Sequence, residues 1–159
     1  MKPLPRPRLS AAMRPIAFFP VVLTVVAMFL SAPLPGHASV DDSHSAAMEA
    51  AVDAVKAGFK IRQEYWKGEL KSGGQKIIKQ QLFKSNEYWF FLGTDAEKIT
   101  LKIDVLDRKG NKINVETKLK DGSAAVRVLA PATGSYLLVF SLTGKEGEVI
   151  PWALAYGYR

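Results

Sequence analysis

The sequence of 159 residues contains a surplus of aromatic side chains that could bind a ligand. They occur at adjacent or alternating positions, and we select four of them as candidate binding residues: Trp66, Trp89, Trp152 and Tyr156. Exposed flat rings stack on sugar rings or on peptides. The alternative is that these rings fill a core, where aromatic side chains dominate the packing.

Acidic side chains are the second group that could do chemistry. Asp104 and Asp107 lie three residues apart in a turn-rich stretch. Oxygen ligands of this kind bind calcium, although the spacing of an EF-hand loop is absent. The alternative, which we favour, is that Asp107 starts a turn and Asp104 is an outward-facing strand residue. We therefore expect no cofactor, and calcium at these two aspartates is the one metal site that the sequence suggests.

Residue types suited to catalysis are scarce. The chain has no cysteine, and after residue 38 it has a single histidine, His44. A Ser-His-Asp triad would have to use His44, and no G-x-S-x-G turn accompanies it. We interpret His44 as a solvated residue beside the start of a helix. Phosphate-binding and dinucleotide-binding glycine motifs are absent, so the sequence predicts a protein that is not an enzyme.

Residues 1–38 have the organisation of a secretory signal peptide. Four basic residues and no acid precede an apolar run from Ile16 to Leu30, and Gly36 and Ala38 supply the small residues that signal peptidase requires. The apolar run is shorter than the roughly 20 residues that span a bilayer, although an uncleaved anchor is the alternative. We expect export to a bacterial periplasm or to the exterior, with membrane contact only through this segment before cleavage.

Cleavage is expected between Ala38 and Ser39. Intact-mass measurement of the exported protein should therefore give the mass of residues 39–159. A mass that still includes Ile16–Leu30 would contradict cleavage and favour the anchor.

The basic net charge belongs mainly to this first segment. The full chain has a charge of +7, whereas residues 39–159 hold 18 basic and 15 acidic residues, a charge of +3. A basic face that would bind nucleic acid is therefore not indicated.

An amphipathic helix is predicted between residues 43 and 66, and Gly58 either ends it or merely weakens it. Its apolar stripe consists of Met48, Val52, Val55 and Phe59. Such stripes usually dock on the core of their own domain, and we expect this one to cover an outer sheet face near Trp89 and Phe91. The alternative is a helix that binds a partner.

From residue 67 onward the pattern changes to strands and turns. About eight strand segments recur at intervals of 8–12 residues, which is typical of an antiparallel β-sandwich or jelly roll. The expected organisation is a signal peptide (1–38), a helical segment packed on the sandwich (39–66) and a β-sandwich domain (67–159).

Several motifs of the strand region occur in the order of a known family. They include the Ser72-Gly73-Gly74 turn, Tyr88-Trp89-Phe90, Ile103 to Asp107, and Pro131-Ala132-Thr133-Gly134-Ser135-Tyr136. Residues 67–158 thereby resemble the bacterial pre-peptidase C-terminal domains, which are β-sandwich modules of secreted proteases. The resemblance implies a non-catalytic, jelly-roll-like module, and the paired aspartates of that family are reduced here to Asp104 and Asp107.

Two function classes follow from these observations. The first is an exported, non-catalytic module that binds a protein or another component of the cell envelope. The second is a carbohydrate-binding or weakly hydrolytic domain, with an envelope glycan as partner. A row of exposed Trp and Tyr rings favours the second, whereas a covered row favours the first.

Overall fold

In the computed structural model, residues 39–159 are described, and the predicted signal peptide with Ala38 lies outside the described residues. The described elements, in chain order, are helix α1 (Val40–Lys56) and strands β1 (Lys60–Ile61), β2 (Trp66–Lys71), β3 (Gln75–Leu82), β4 (Glu87–Gly93), β5 (Thr100–Leu106), β6 (Glu116–Lys120), β7 (Ser123–Leu129), β8 (Gly134–Thr143) and β9 (Val149–Tyr158). No helix among these residues has the length and hydropathy that crossing a membrane requires.

The strands form two antiparallel sheets. The larger sheet has the order β1–β9–β4–β7–β6, and β2 pairs with the same strand β9 as β1 does. The smaller sheet has the order β3–β8–β5. The predicted class, a mostly β antiparallel sandwich preceded by a helix, is confirmed. The ninth strand is the two-residue β1, which lies where the sequence predicted helix.

The alternation of side chains along β4 divides the apolar residues between two cores. Tyr88 and Phe90 point into the sandwich, where Phe90 is fully buried. Trp89 and Phe91 point to the outer face and join a second cluster with residues of α1. Successive side chains on a strand point to opposite faces, so β4 is buried on both faces only because α1 covers the outer one. The expectation that Trp89 and Phe91 lie under the helix is confirmed.

The helix ends earlier than its sequence pattern predicts. Ser39 is the N-cap and accepts a hydrogen bond from the backbone N–H of Asp42 at 3.1 Å. After Lys56, Gly58 adopts a positive φ of 88°, a conformation that glycine tolerates without steric cost. The following residues pair with β9, so the alternative in which Gly58 ends the helix is confirmed and the continuation to residue 66 is wrong.

The face that α1 buries is also not the predicted one. Ser43, Ala47, Ala51 and Ala54 are buried. Val52 and Val55 are 45% and 52% exposed, and Phe59, which is buried, lies beyond the helix. Met48 and Phe59 do contact the outer cluster, but the prediction that the whole Met48–Val52–Val55–Phe59 stripe docks is wrong for Val52 and Val55. The physical reason is close approach, because small side chains let the helix backbone lie directly on the sheet.

A network of ion pairs joins the start of β4 to the end of the chain. The Glu87 carboxylate pairs with Arg127 at 2.8 Å and with Arg159 at 2.7 Å. Arg127 also contacts Glu116 at 3.2 Å. Hydrogen bonds from Arg127, and then from Arg159, hold the pKa of Glu87 below its ordinary value of 4.5.

Because of this network, the free energy of unfolding depends on pH in the acid range. Because the pKa of Glu87 is lower in the folded state, its stabilisation is complete above about pH 4.5 and is lost as the pH falls through the folded-state pKa. We expect Glu87→Gln to lower the free energy of unfolding by about 1 kcal/mol at pH 7. Urea unfolding should show that this difference shrinks as the pH is lowered from 7 to 3. An equal difference at both pH values would contradict the role of the carboxylate.

Candidate binding groove

A groove of about 610 Å³ opens between α1 and the outer faces of β6 and β7. It exists because α1 packs mainly on β9 and β4 and less on β7, which leaves β6, at the edge of the larger sheet, exposed. The residues that line it are Glu49, Ala50, Val52, Asp53, Ala54, Trp89, Phe91, Lys118, Leu119, Lys120, Ser123 and Ala125.

The floor of the groove is aromatic and apolar. The rings of Trp89 and Phe91 are stacked with centroids 5.8 Å apart and an angle of 15° between their planes. Ala125 on β7 and Ala54 on α1 lie beside them. Their short side chains leave the space that a larger residue would fill.

Lys118 lies across this floor. Its ammonium nitrogen is 5.1 Å from the centroid of the Trp89 ring, within the range of a cation–π interaction. Glu116, at 3.9 Å, is the carboxylate paired with it among the described residues. Trp89 is only 6% exposed, so an occupant reaches this ring only when Lys118 moves aside.

An ion pair crosses the groove from the helix to the sheet. The Lys120 ammonium donates a hydrogen bond to Glu49 Oε1 at 2.6 Å. This hydrogen bond and the attraction of the charges lower the pKa of Glu49 and raise the pKa of Lys120. Both groups are thereby held in their charged forms, although both remain open to solvent.

A smaller cavity of about 130 Å³ adjoins the groove beyond Trp89. The two share Asp53, Ala54, Trp89 and Lys118 as lining residues. The walls of the smaller cavity are mainly ionic, and the Arg159 guanidinium lies 4.7 Å from the centroid of the Phe59 ring. The apolar part of the site is therefore the larger groove.

The four predicted binding rings do not share one surface. Trp89 is the one that lies at the groove. Trp152 is 3% exposed inside the sandwich, where its ring meets Phe140 edge-on at 4.9 Å. Trp66 and Tyr156, with centroids 5.3 Å apart, also pack against the inner core. Trp66, Trp152 and Tyr156 all face the second sheet, where Trp152 is buried and Trp66 and Tyr156 are partly buried, so they do not form an exposed row.

The two candidate metal ligands are both engaged by groups of the chain. The Asp107 carboxylate accepts hydrogen bonds from the backbone N–H groups of Lys109 and Asn111 at 2.8 and 2.9 Å. These bonds, with that of the Asn111 backbone the strongest, lower the pKa of Asp107. Asp104 pairs with Lys112 at 2.6 Å. In residues 39–159 no three acidic or histidine side chains converge as a metal site would require.

His44 differs from the solvated residue that the sequence suggested. It is partly buried, and its ring stacks on Tyr65 with centroids 3.8 Å apart and planes at 12°. The cause is the return of the chain after α1, which places the residue before β2 against the start of the helix.

Sequence reasoning did not identify Glu49, Lys118 or Lys120 as site residues. The available signal was the alternation of β6, which places Lys118 and Lys120 on one face. That signal does not reveal that the helix leaves this face open. Searches against protein-family models and against curated proteins find no match to the chain.

Proposed function

We propose that this protein is an exported, non-catalytic binding module that holds a protein or another cell-envelope component in the groove between α1 and β6. The observation that carries the proposal is the open groove between α1 and β6, with its aromatic floor and volume of about 610 Å³. Ligand sites of proteins are typically clefts of this size with mainly apolar walls and a few charged groups.

The chemistry of the groove supports binding rather than turnover. Its carboxylate at Glu49 is paired with Lys120 and has a lowered pKa, whereas a general base works best with a pKa near the working pH. The ring of His44 is stacked on Tyr65, away from the groove. The resemblance to the pre-peptidase C-terminal domains points the same way.

The absence of turnover can be tested directly. We expect the purified protein to show none in a broad screen of hydrolase substrates. Robust turnover that is abolished by His44→Ala or Asp104→Ala would contradict a purely binding role.

The carbohydrate-binding alternative depends on exposed rings. Trp66, Trp152 and Tyr156 pack against the inner core of the sandwich, and Trp89 is covered by Lys118 and α1. This arrangement favours the first function class over the second.

Occupancy of the groove can be tested by photo-crosslinking in the cells that make the protein. A benzophenone side chain at Val52, on the groove wall, should give adducts whose mass identifies the occupant. The same group at Ile77, which is exposed on the smaller sheet, is the matched control and should not give them.

A second variant separates occupancy from chance contact. Ala50→Trp should fill the groove and remove the Val52 adducts, provided that its melting temperature shows that it is folded. Adducts that form equally from both positions, or that persist in folded Ala50→Trp, would contradict the proposal.

A further inference from the structure

The two walls of the groove carry opposite charges. Glu49 and Asp53 lie on the helix side, and Lys118 and Lys120 lie on the strand side. Glu49 and Lys120 meet across it at 2.6 Å. The groove is therefore dipolar, with two negative and two positive lining groups.

The ion pair across the groove restricts the charge that an occupant can carry. A ligand that lies between the walls must separate Glu49 from Lys120. An anion would pair with Lys120 and leave Glu49 without a partner, and a cation would do the reverse. Either loss is small, because the side chains of Glu49 and Lys120 are 69% and 67% exposed, but a ligand with both charges is the one that pairs with both walls.

The floor adds an apolar requirement. Trp89, Phe91 and Ala125 are 6%, 1% and 5% exposed, and the space above them lies between the charged walls. Lys118 can leave the Trp89 ring at small cost, because its side chain is 60% exposed and a cation–π interaction at an exposed site is weak. An apolar side chain of the ligand would take its place.

We propose that the groove binds short apolar peptides with free termini. The α-ammonium group of the peptide lies toward Glu49 and Asp53, its carboxylate lies toward Lys118 and Lys120, and an apolar side chain covers Trp89 and Phe91. A dipeptide spans about 7 Å when extended, which is enough to separate Glu49 from Lys120 and to contact both. This inference rests on the proposed function, because it names the occupant of the same groove.

The test uses leucyl-phenylalanine and three derivatives of it, studied by titration calorimetry with the purified protein at low salt. The derivatives are the N-acetylated peptide, the C-terminal amide and the doubly blocked peptide. We expect the free dipeptide to bind at one site per chain. Blocking either end should weaken binding about fivefold, the upper range for exposed ion pairs.

Two variants assign each end of the peptide to its wall. Glu49→Gln should weaken the free dipeptide about fivefold but should not further weaken the acetylated peptide. Lys120→Met should show the same pattern with the amide. Lys79→Met, an exposed position on β3 in the other sheet, is the control and should change neither.

The possible results separate this inference from the proposed function. Equal affinity of the free and doubly blocked peptides would overturn the requirement for two charges. Adducts at Val52 without binding of any of the four peptides would overturn the ligand class and leave the binding module intact. Failure of both experiments would overturn both proposals.

Discussion

Gly93→Ala is expected to lower the free energy of unfolding by about 1–3 kcal/mol, the usual cost of overpacking. A Cβ atom at this position would lie 2.4 Å from the backbone nitrogen of Ala47 and 2.5 Å from the carbonyl oxygen of Ser43. Both are backbone atoms of α1, so no side-chain rotation can relieve the clash and the helix itself has to move. Urea unfolding of the variant and of the unmodified protein measures the difference.

Gly134→Ala is the matched control for this prediction. Gly134 begins β8, and an added Cβ there would meet nothing within 4 Å. Because alanine reduces the entropy of the unfolded chain, this change should be neutral or stabilise by up to about 1 kcal/mol. Equal effects at the two glycines would show that close contact with the helix does not matter at Gly93.

Removal of α1, by shortening the chain to residues 58–159, is expected to have a still larger effect. It uncovers the outer faces of Trp89 and Phe91, which are buried in the cluster that α1 completes. Burial of a large apolar side chain contributes about 1.5–3 kcal/mol, and a domain has only about 5–15 kcal/mol in total. The melting temperature should fall by about 15 °C or more, or the shortened chain should aggregate.

A point substitution keeps this prediction testable if the shortened chain cannot be purified. Ala51 lies on the face of α1 that packs on the sheet and is fully buried, so Ala51→Asp places an unpaired charge in the interface and should cost several kcal/mol. Val55→Asp, on the exposed side of the same helix, should stay within about 0.5 kcal/mol. An unchanged melting temperature of residues 58–159 would show that the helix is dispensable and free for a partner.

The strands were predictable because their signal is local. Alternation along β5 and the turn at Asp107 do not depend on what packs against them, and Asp107 indeed bonds the backbone of its own turn. The double burial of β4 was also predictable, since adjacent aromatic residues occupy both of its faces.

The helix face and the groove could not be predicted for a different reason. Periodicity identifies the helix face with the largest apolar side chains. The face that docks is instead the one with the smallest side chains, because the helix backbone lies close to Gly93 of the sheet. The groove beside β6 exists because one helix is narrower than the sheet. A helix is about 10–12 Å wide, whereas five strands spaced about 4.8 Å apart form a wider surface. That comparison requires the strand order, which β9 sets by pairing with strands remote in sequence.

The pairing of β9 with three other strands, β1, β2 and β4, has a consequence for the order in which the chain folds. β1 and β2 pair only with β9 among the described strands, and α1 rests largely on it. Residues 60–71 therefore have no strand to pair with until residues 149–158 have been synthesised. Such non-local pairing slows folding. A nascent chain that ends before Val149 should remain open to proteases over residues 60–71.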